Sequence, residues 1–319
     1  MRKLLTLWIF LLGLFKIAEA QQDPQFSQNM YNRLFPNPGV AGTNGAICAT
    51  VLGREQWVGF EGQPGTYLFT VHGPVPILKG GVGLSVAQDQ IGQFKDFHLK
   101  ASYAYHLDIP AVSGQLGIGL GLGMLQRSIG SAWDAIDDPT LDPSIPDQGL
   151  TSSAFDLDFG AYFANDDLYA GISATHIPSA NLQGVAGNNG VEIARHYYLM
   201  AGYNYDRLLP NVVFQPSIFV KSDGASAQMD INISAVYNNL LWGGITYRLL
   251  DAVIPMVGVD YQMGGTGLGG GTLKIGYAYD VTTSLIRKGS SGSHELLLNY
   301  CFNIPKKIKI ERHKSVRFL

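Results

Sequence analysis

Phe97-His98-Leu99-Lys100-Ala101-Ser102-Tyr103-Ala104-Tyr105-His106-Leu107-Asp108 alternates without a break. Phe97, Leu99, Ala101, Tyr103, Tyr105 and Leu107 share one face; His98, Lys100, Ser102, Ala104, His106 and Asp108 share the other. A period of two is a β-strand. A strand that is oily on one flank and ionic on the other suits a wall between lipid and a polar lumen, because hydrocarbon penalises charge and a lumen does not.

The pattern recurs along the chain. Leu116, Ile118, Leu120, Leu122 and Met124 oppose Gly117, Gly119, Gly121 and Gly123. Phe155, Leu157, Phe159, Ala161 and Phe163 oppose Asp156, Asp158, Gly160 and Tyr162. Met229, Ile231, Ile233, Ala235 and Tyr237 oppose Asp230, Asn232 and Ser234, and Leu296, Leu298, Tyr300 and Phe302 oppose Glu295, Asn299 and Cys301. None of these apolar faces carries Asp, Glu, Lys or Arg. Fourteen such strands are expected, near 46–57, 65–73, 80–89, 96–109, 113–127, 152–164, 166–177, 194–206, 211–222, 226–238, 239–249, 253–263, 271–281 and 293–303. The phase turns His98, Lys100, Gly117, Gly119, Gly121, Asp156, Asp158, Asp230, Asp260, Lys274, Asp280 and Glu295 toward the lumen.

Connection lengths agree with a membrane cylinder. Counting from the periplasm, the inner turns fall near 74–79, 110–112, Asn165, 207–210, 238–239 and 264–270, and all are short. The two longest connections, 128–151 and 178–193, fall outside, as in outer-membrane barrels. Open sheet edges are untenable in lipid, so the sheet must close. The fold expected is all-β: a transmembrane antiparallel up-and-down β-barrel of about 14 strands, with both mature termini periplasmic. Pro216 and Pro255 fall inside expected strands, and bulges or strand ends are expected there.

The segments outside the barrel differ in kind. Residues 1–20 read as a signal peptide: Arg2 and Lys3, an apolar run from Leu4 to Phe15, and Ala18-Glu19-Ala20 as cleavage site. That run is too short to span a bilayer as a helix, and no later run approaches the roughly 20 residues required. Residues 21–45 lack a period but hold Phe26, Tyr31 and Phe35; they read as a floppy leader or a lumen plug, with the aromatics favouring the plug. Residues 46–303 are the barrel. Residues 304–319 form a basic tail with Lys306, Lys307, Lys309, Arg312 and Arg317, which either docks on a periplasmic partner or acidic head groups or is simply solvated.

Signals for chemistry are sparse. His98 and His106 share a face but lie about 27 Å apart at strand rise. No local Ser–His pair suggests a nucleophile. Gly264–Gly271 lacks the Gly-Lys-Ser/Thr of a phosphate loop. No enzyme, metal or cofactor is expected. The Gly117–Gly123 row reads either as the seat of a bulky guest, such as a plug or a peptide, or as an unconstrained aqueous wall. Trp57 and Phe60 read first as interfacial girdle, and otherwise, with Arg54 and Glu55, as a partner site. Cys48 and Cys301 lie on strands that become neighbours on closure. A disulfide across that seam is geometrically allowed, but the narrow window of Cα separation favours two free thiols.

Several stretches together resemble the PorP/SprF family: Gln22-Asp23-Pro24-Gln25-Phe26-Ser27-Gln28, Asn37-Pro38, Ala41-Gly42, and Arg54-Glu55-Gln56-Trp57-Val58-Gly59-Phe60 leading to Pro64, Thr66 and Val71-His72. Asp89-Gln90-Ile91-Gly92, Pro216-Ser217, Tyr247-Arg248, Ile275-Gly276-Tyr277-Ala278-Tyr279-Asp280, Gly292-Ser293-His294-Glu295-Leu296 and Arg317-Phe318-Leu319 continue it. The resemblance implies an outer-membrane protein of the type IX secretion and gliding machinery. It further implies association with the periplasmic ring, or with a secreted protein bearing a type B C-terminal sorting domain, such as a large surface adhesin. It supplies no active-site residues. The expected function is a non-enzymatic barrel that binds, delivers or anchors such a protein, with a porin or small-solute channel as the alternative.

Overall fold

The computed structural model describes residues 23–130, 149–180, 182, 192–264 and 270–303. Fourteen strands follow one another: β1 (Ala46–Glu55), β2 (Gly65–Val75), β3 (Gly80–Ile91), β4 (Phe94–Ile109), β5 (Gly114–Ile129), β6 (Leu150–Ala164) and β7 (Leu168–Thr175). Then come β8 (His196–Tyr203, continued past Asn204 as Tyr205–Leu209), β9 (Val212–Ser222), β10 (Ala227–Tyr237), β11 (Leu241–Arg248), β12 (Ala252–Met263), β13 (Gly271–Thr282) and β14 (Ser293–Asn303). Each pairs antiparallel with its neighbours in sequence, and β14 returns to β1 in register from Ala46↔Asn303 to Glu55↔His294. Among the described residues every strand is thus paired on both sides and the cylinder is closed, although the long-loop half of β6, before Phe159, runs past its β7 neighbour.

Its outer surface carries the exposed apolar side chains. Leu120, Leu122, Phe155, Ile172, Ile233, Ile245 and Val257 are all exposed on it. Tyrosines ring this band at two levels. Tyr67, Tyr197, Tyr247 and Tyr277 lie toward one end, and Tyr103, Tyr105, Tyr203, Tyr205, Tyr237 and Tyr261 toward the other. A wide apolar band between two aromatic girdles is the signature of a bilayer-spanning barrel.

One end of the cylinder carries only short connections, whereas the other mixes short turns, at 92–93, 223–226 and 249–251, with the longer loops. Pro76-Ile77-Leu78 and Pro110-Ala111-Val112 form matching single turns, in which proline fixes the entry and a left-handed residue, Lys79 or Ser113, reverses the chain. Asn238 and Asn239, both with positive φ, close the β10–β11 hairpin, a conformation that asparagine tolerates well. The longer connections, 56–64, 130–149, 176–195 and 283–292, lie at the opposite end.

Two expectations change. Pro216 and Pro255 are neither in bulges nor at strand ends. Pro216 sits mid-strand opposite Ile233, and the ladder lapses only on its β8 side, between Ser217↔Gly202 and Phe214↔Tyr205. Pro255 opposes Ile245, and the β12–β13 ladder lapses between Val253↔Val281 and Met256↔Ala278 without a change of register. Each strand keeps its course, and pairing is lost only where proline has no N–H to give. The cysteines are not free thiols either. Closure makes Cys48 and Cys301 direct partners with Cα atoms 4.1 Å apart, and their sulfurs are bonded.

Candidate functional site

Residues 23–45 run through the lumen. Asp23 lies at the long-loop end, beside the ends of β7 and β8; Thr43 and Asn44 lie at the short-turn end, where β1 begins. The described chain therefore starts at one mouth of the cylinder, while Asn303, paired with Ala46, ends at the other. The expectation that both mature termini share a side concerns residues outside the described set. The strands alone suggested it, and they do not register a leader that doubles back through the barrel.

Just inside the long-loop ends of β1, β10, β11, β13 and β14, the leader is seated on charge. Glu295 accepts the backbone N–H of Ser27 and of Gln28, each at 2.7 Å. Ser27 Oγ donates to Asp280 at 2.7 Å and accepts from Arg54 at 2.7 Å. Arg54 pairs with Asp280 (2.7 Å) and Glu295 (3.3 Å). Arg248 pairs with Asp230 (3.0 Å) and Asp280 (2.9 Å) and donates to the Phe26 carbonyl at 3.0 Å. Two guanidiniums and three carboxylates, drawn from β1, β10, β11, β13 and β14, thus close around one turn of the leader. Arg54, Arg248 and Glu295 are each no more than 1% exposed, so water is excluded at this level. A buried charge is tolerable only when paired and hydrogen-bonded, and here the leader supplies part of the pairing.

Apolar contacts lock the same segment. Phe26 and Phe35 meet edge to face and pack on Leu52, Leu68, Ala87 and Leu297, which point inward from β1, β2, β3 and β14. Met30 joins Trp242, Ile254 and Met256 on the other side. Arg33 stacks over Tyr169, 3.6 Å from its ring centre, and donates to the Tyr162 hydroxyl at 2.8 Å.

Toward the short-turn end, the wall is cut away for the leader. Asn37 Nδ2 donates to the carbonyls of Ala161 (3.1 Å) and Ile172 (3.2 Å), between β6 and β7. A Cβ on Gly160 would stand 2.1 Å from Asn37 Oδ1. On Gly119 it would stand 2.3 Å from the Gly39 nitrogen, and on Gly117 2.2 Å from the Gly39 oxygen. Gly117 and Gly119 on β5 are the seat of Pro38 and Gly39, whereas Gly121 and Gly123 of the same row make room for Lys100.

At the long-loop end, Asp23 meets histidines. Its carboxylate lies 2.8 Å from His176 Nε2 and accepts from the Tyr198 hydroxyl; its N–H donates to His196 Nε2 at 3.2 Å, and its carbonyl accepts from Lys221 at 2.9 Å. Burial raises the Asp23 pKa, but His176 and His196 outweigh it and hold the carboxyl well below the usual range. Lys100 pairs with Asp158, and Asp156 stands beside it.

The residues singled out from sequence divide as follows. His98, Lys100, Gly117, Gly119, Gly121, Asp156, Asp158, Asp230, Asp280 and Glu295 face inward and are buried; Asp260 and Lys274 face inward, half-buried, as an ion pair at 2.6 Å. Arg54 is no surface for an external partner, because its bonds are all internal. Trp57 lines the cavity at the long-loop mouth with Asp23 and Gln25, so it is not part of a lipid-facing girdle. Phe60 is 42% exposed and packs over Gly289. Lys306, Lys307, Lys309, Arg312 and Arg317 lie outside the described residues. Ser27, Asn37, His176, His196 and Arg248 were not assigned roles from sequence, although Ser27, Asn37 and Arg248 stand in stretches that carried the family resemblance.

A family model described as type IX secretion system membrane protein PorP/SprF matches residues 18–300. The chain belongs to the PorP/SprF family. As a PorP/SprF protein it is a membrane protein of the type IX secretion system, and its barrel is of the outer-membrane kind. The stretches that mark the family meet in space: Asp23 to Gln28, Arg54, Arg248, Asp280 and Glu295 form one contact between leader and wall. Among solved structures, the PorP/SprF chain is similar to the CymD monoaromatic hydrocarbon channel (11% identity, 92% of this chain and 96% of that one, TM-score 0.49). It is also similar to the Ralstonia pickettii toluene transporter TbuX (12%, 85% and 93%, 0.49) and to a Pseudomonas aeruginosa FadL homologue (9%, 82% and 89%, 0.45). No curated protein sequence matches the chain.

Proposed function

We propose that this barrel is a non-enzymatic holder of a type IX substrate: it binds, delivers or anchors a secreted protein bearing a type B C-terminal sorting domain, such as a large surface adhesin. The observation that carries the reading is the seated leader. A lumen packed with Phe26, Phe35 and a buried ion network is built to be filled, which suits a platform better than a diffusion pore. In this reading the long-loop end faces the cell exterior and its loops grip the folded sorting domain, since exposed aromatic and apolar groups at rims commonly serve recognition. The short-turn end faces the periplasm, where the basic tail contacts ring components of the machinery.

The alternative is a small-solute channel. The two readings part on one experiment: recovery of the full chain from detergent-solubilised outer membranes, with its companions identified by mass spectrometry. Co-recovery of a protein with a C-terminal sorting domain, lost when the loops at 56–64 and 283–292 are shortened, supports the holder. Repeated recovery of the barrel by itself contradicts it.

A further inference from the structure

Three histidines and three aspartates crowd the long-loop end of the lumen, next along the leader from the ion network that seats Ser27 and Gln28. His98 is on β4, Asp156 and Asp158 are on β6, His176 follows β7, His196 opens β8, and Asp23 comes from the leader. One donor atom each from Asp23, His176 and His196 lie within 4.8 Å of one another, and all three side chains are largely buried. A buried set of imidazoles and a carboxylate drawn from separate elements is the donor type that zinc and related divalent ions take.

The orientation of the rings goes further than proximity. His196 Nδ1 lies 3.0 Å from the Ala194 carbonyl, which assigns its proton to that side and leaves the Nε2 lone pair facing the leader, where it accepts the Asp23 backbone N–H at 3.2 Å, a bond that an incoming ion would displace. His176 Nδ1 lies 3.0 Å from Asp156 Oδ2, and its Nε2 points to Asp23 Oδ1. A metal-bound histidine characteristically gives its second nitrogen to a carboxylate or a backbone carbonyl, which fixes the tautomer and raises basicity at the ligating atom. Both rings are held in that way, and both Nε2 atoms converge on Asp23, that of His176 on its carboxylate and that of His196 on its backbone N–H.

A second observation points to the same place. His98 is 4% exposed, and its Nδ1 has no hydrogen-bond partner. Its ring centre lies 6.0 Å from that of His176, and it lines a small cavity together with Asp23 and His196. A buried imidazole nitrogen without a partner is costly and calls for an occupant. The wider cavity at the mouth, which Asp23 also lines, supplies an entry path.

We infer that Asp23, His176 and His196, with His98 as the adjoining third imidazole, form a site for a divalent transition-metal ion of the zinc class, and that the ion latches the leader to the wall at the long-loop mouth. The ion takes the place of the proton shared between His176 and Asp23, so its binding releases protons. Asp23 is the leader's only ligand in the set, so the ion bridges plug and barrel and is held fully only when the leader is in place.

The test uses the full chain, purified in detergent without a polyhistidine tag, stripped with chelator and dialysed against zinc. Zinc per chain is read by mass spectrometry, and Co2+ is used as a spectroscopic substitute. The expected result is one zinc per chain, with affinity reduced about tenfold or more in His196→Gln and in Asp23→Asn. His294→Gln, which alters a histidine outside the set, leaves the affinity unchanged. The Co2+ form is expected to show the intense visible bands of a four-coordinate ion, lost in Asp23→Asn. Asp23 is not on a strand, so that variant keeps the barrel should His196→Gln fail to fold. Absence of stoichiometric zinc, unaltered affinity in Asp23→Asn, or only the weak Co2+ spectrum of a hydrated ion would overturn the inference.

Discussion

Glu295 shows how much can rest on one side chain. Its two oxygens take the N–H groups of Ser27 and Gln28 while Arg54 neutralises it. Glu295→Ala leaves Arg54 short of a partner and strands two buried N–H groups, so docking of the leader should weaken by about 3–5 kcal/mol. Hydrogen exchange at residues 26–30 reads this directly: slow in the natural protein, fast in the variant. Gly119→Val tests the seat at the other end. Its side chain would fall on Pro38 and Gly39, which cannot yield, and the same loss of protection is expected at residues 37–40. The glycine row was legible in the sequence because a strand face of four alternate glycines invites a close neighbour. The identity of that neighbour was only half legible: aromatics in residues 21–45 suggested a plug, but nothing local pairs Asn37 with Gly160. Arg248 escaped because its partners, Asp230 and Asp280, stand on other strands, and such meetings follow from closure rather than from spacing.

Among the strands, period two decided almost everything, since every inward residue named from the phase does face inward. What the period could not tell is how wet that flank is. A polar lumen face was expected to be aqueous, yet Ser102 is 5% exposed. The outward flank follows the depth rule. Leu122→Arg, midway along β5, should destabilise the folded barrel in vesicles by roughly 2–4 kcal/mol, and Tyr103→Arg, in a tyrosine girdle, by less. Equal costs at the two sites would contradict the placement of the bilayer. Ser102→Arg is expected to be costly for another reason, by expelling the leader, and that cost should vanish once residues 23–45 are deleted. The β1–β14 seam supplies a separate check. Intact mass without reductant should be two daltons below the reduced chain, as roughly one hydrogen is lost from each of Cys48 and Cys301. Sequence alone favoured free thiols because bridging tolerates so few geometries; direct pairing across the seam is what satisfies them.

At the scale of the molecule, a closed wall with apolar residues outward surrounds a leader fastened at three points: Asp23 at the long-loop mouth, Ser27 and Gln28 just inside it, and Asn37 to Gly39 toward the turns. Part of the family resemblance falls on these fastenings: Asp23 to Gln28, Arg54, Arg248, Asp280 and Glu295, scattered in sequence, make one contact in space, whereas His176, His196 and the glycines of β5 lie outside it. The most direct test is current through single barrels in a planar bilayer. The full-length mature protein should be silent, and deletion of residues 23–45 should open a steady ohmic conductance through the cylinder. Equal conductance from the two proteins would contradict the account.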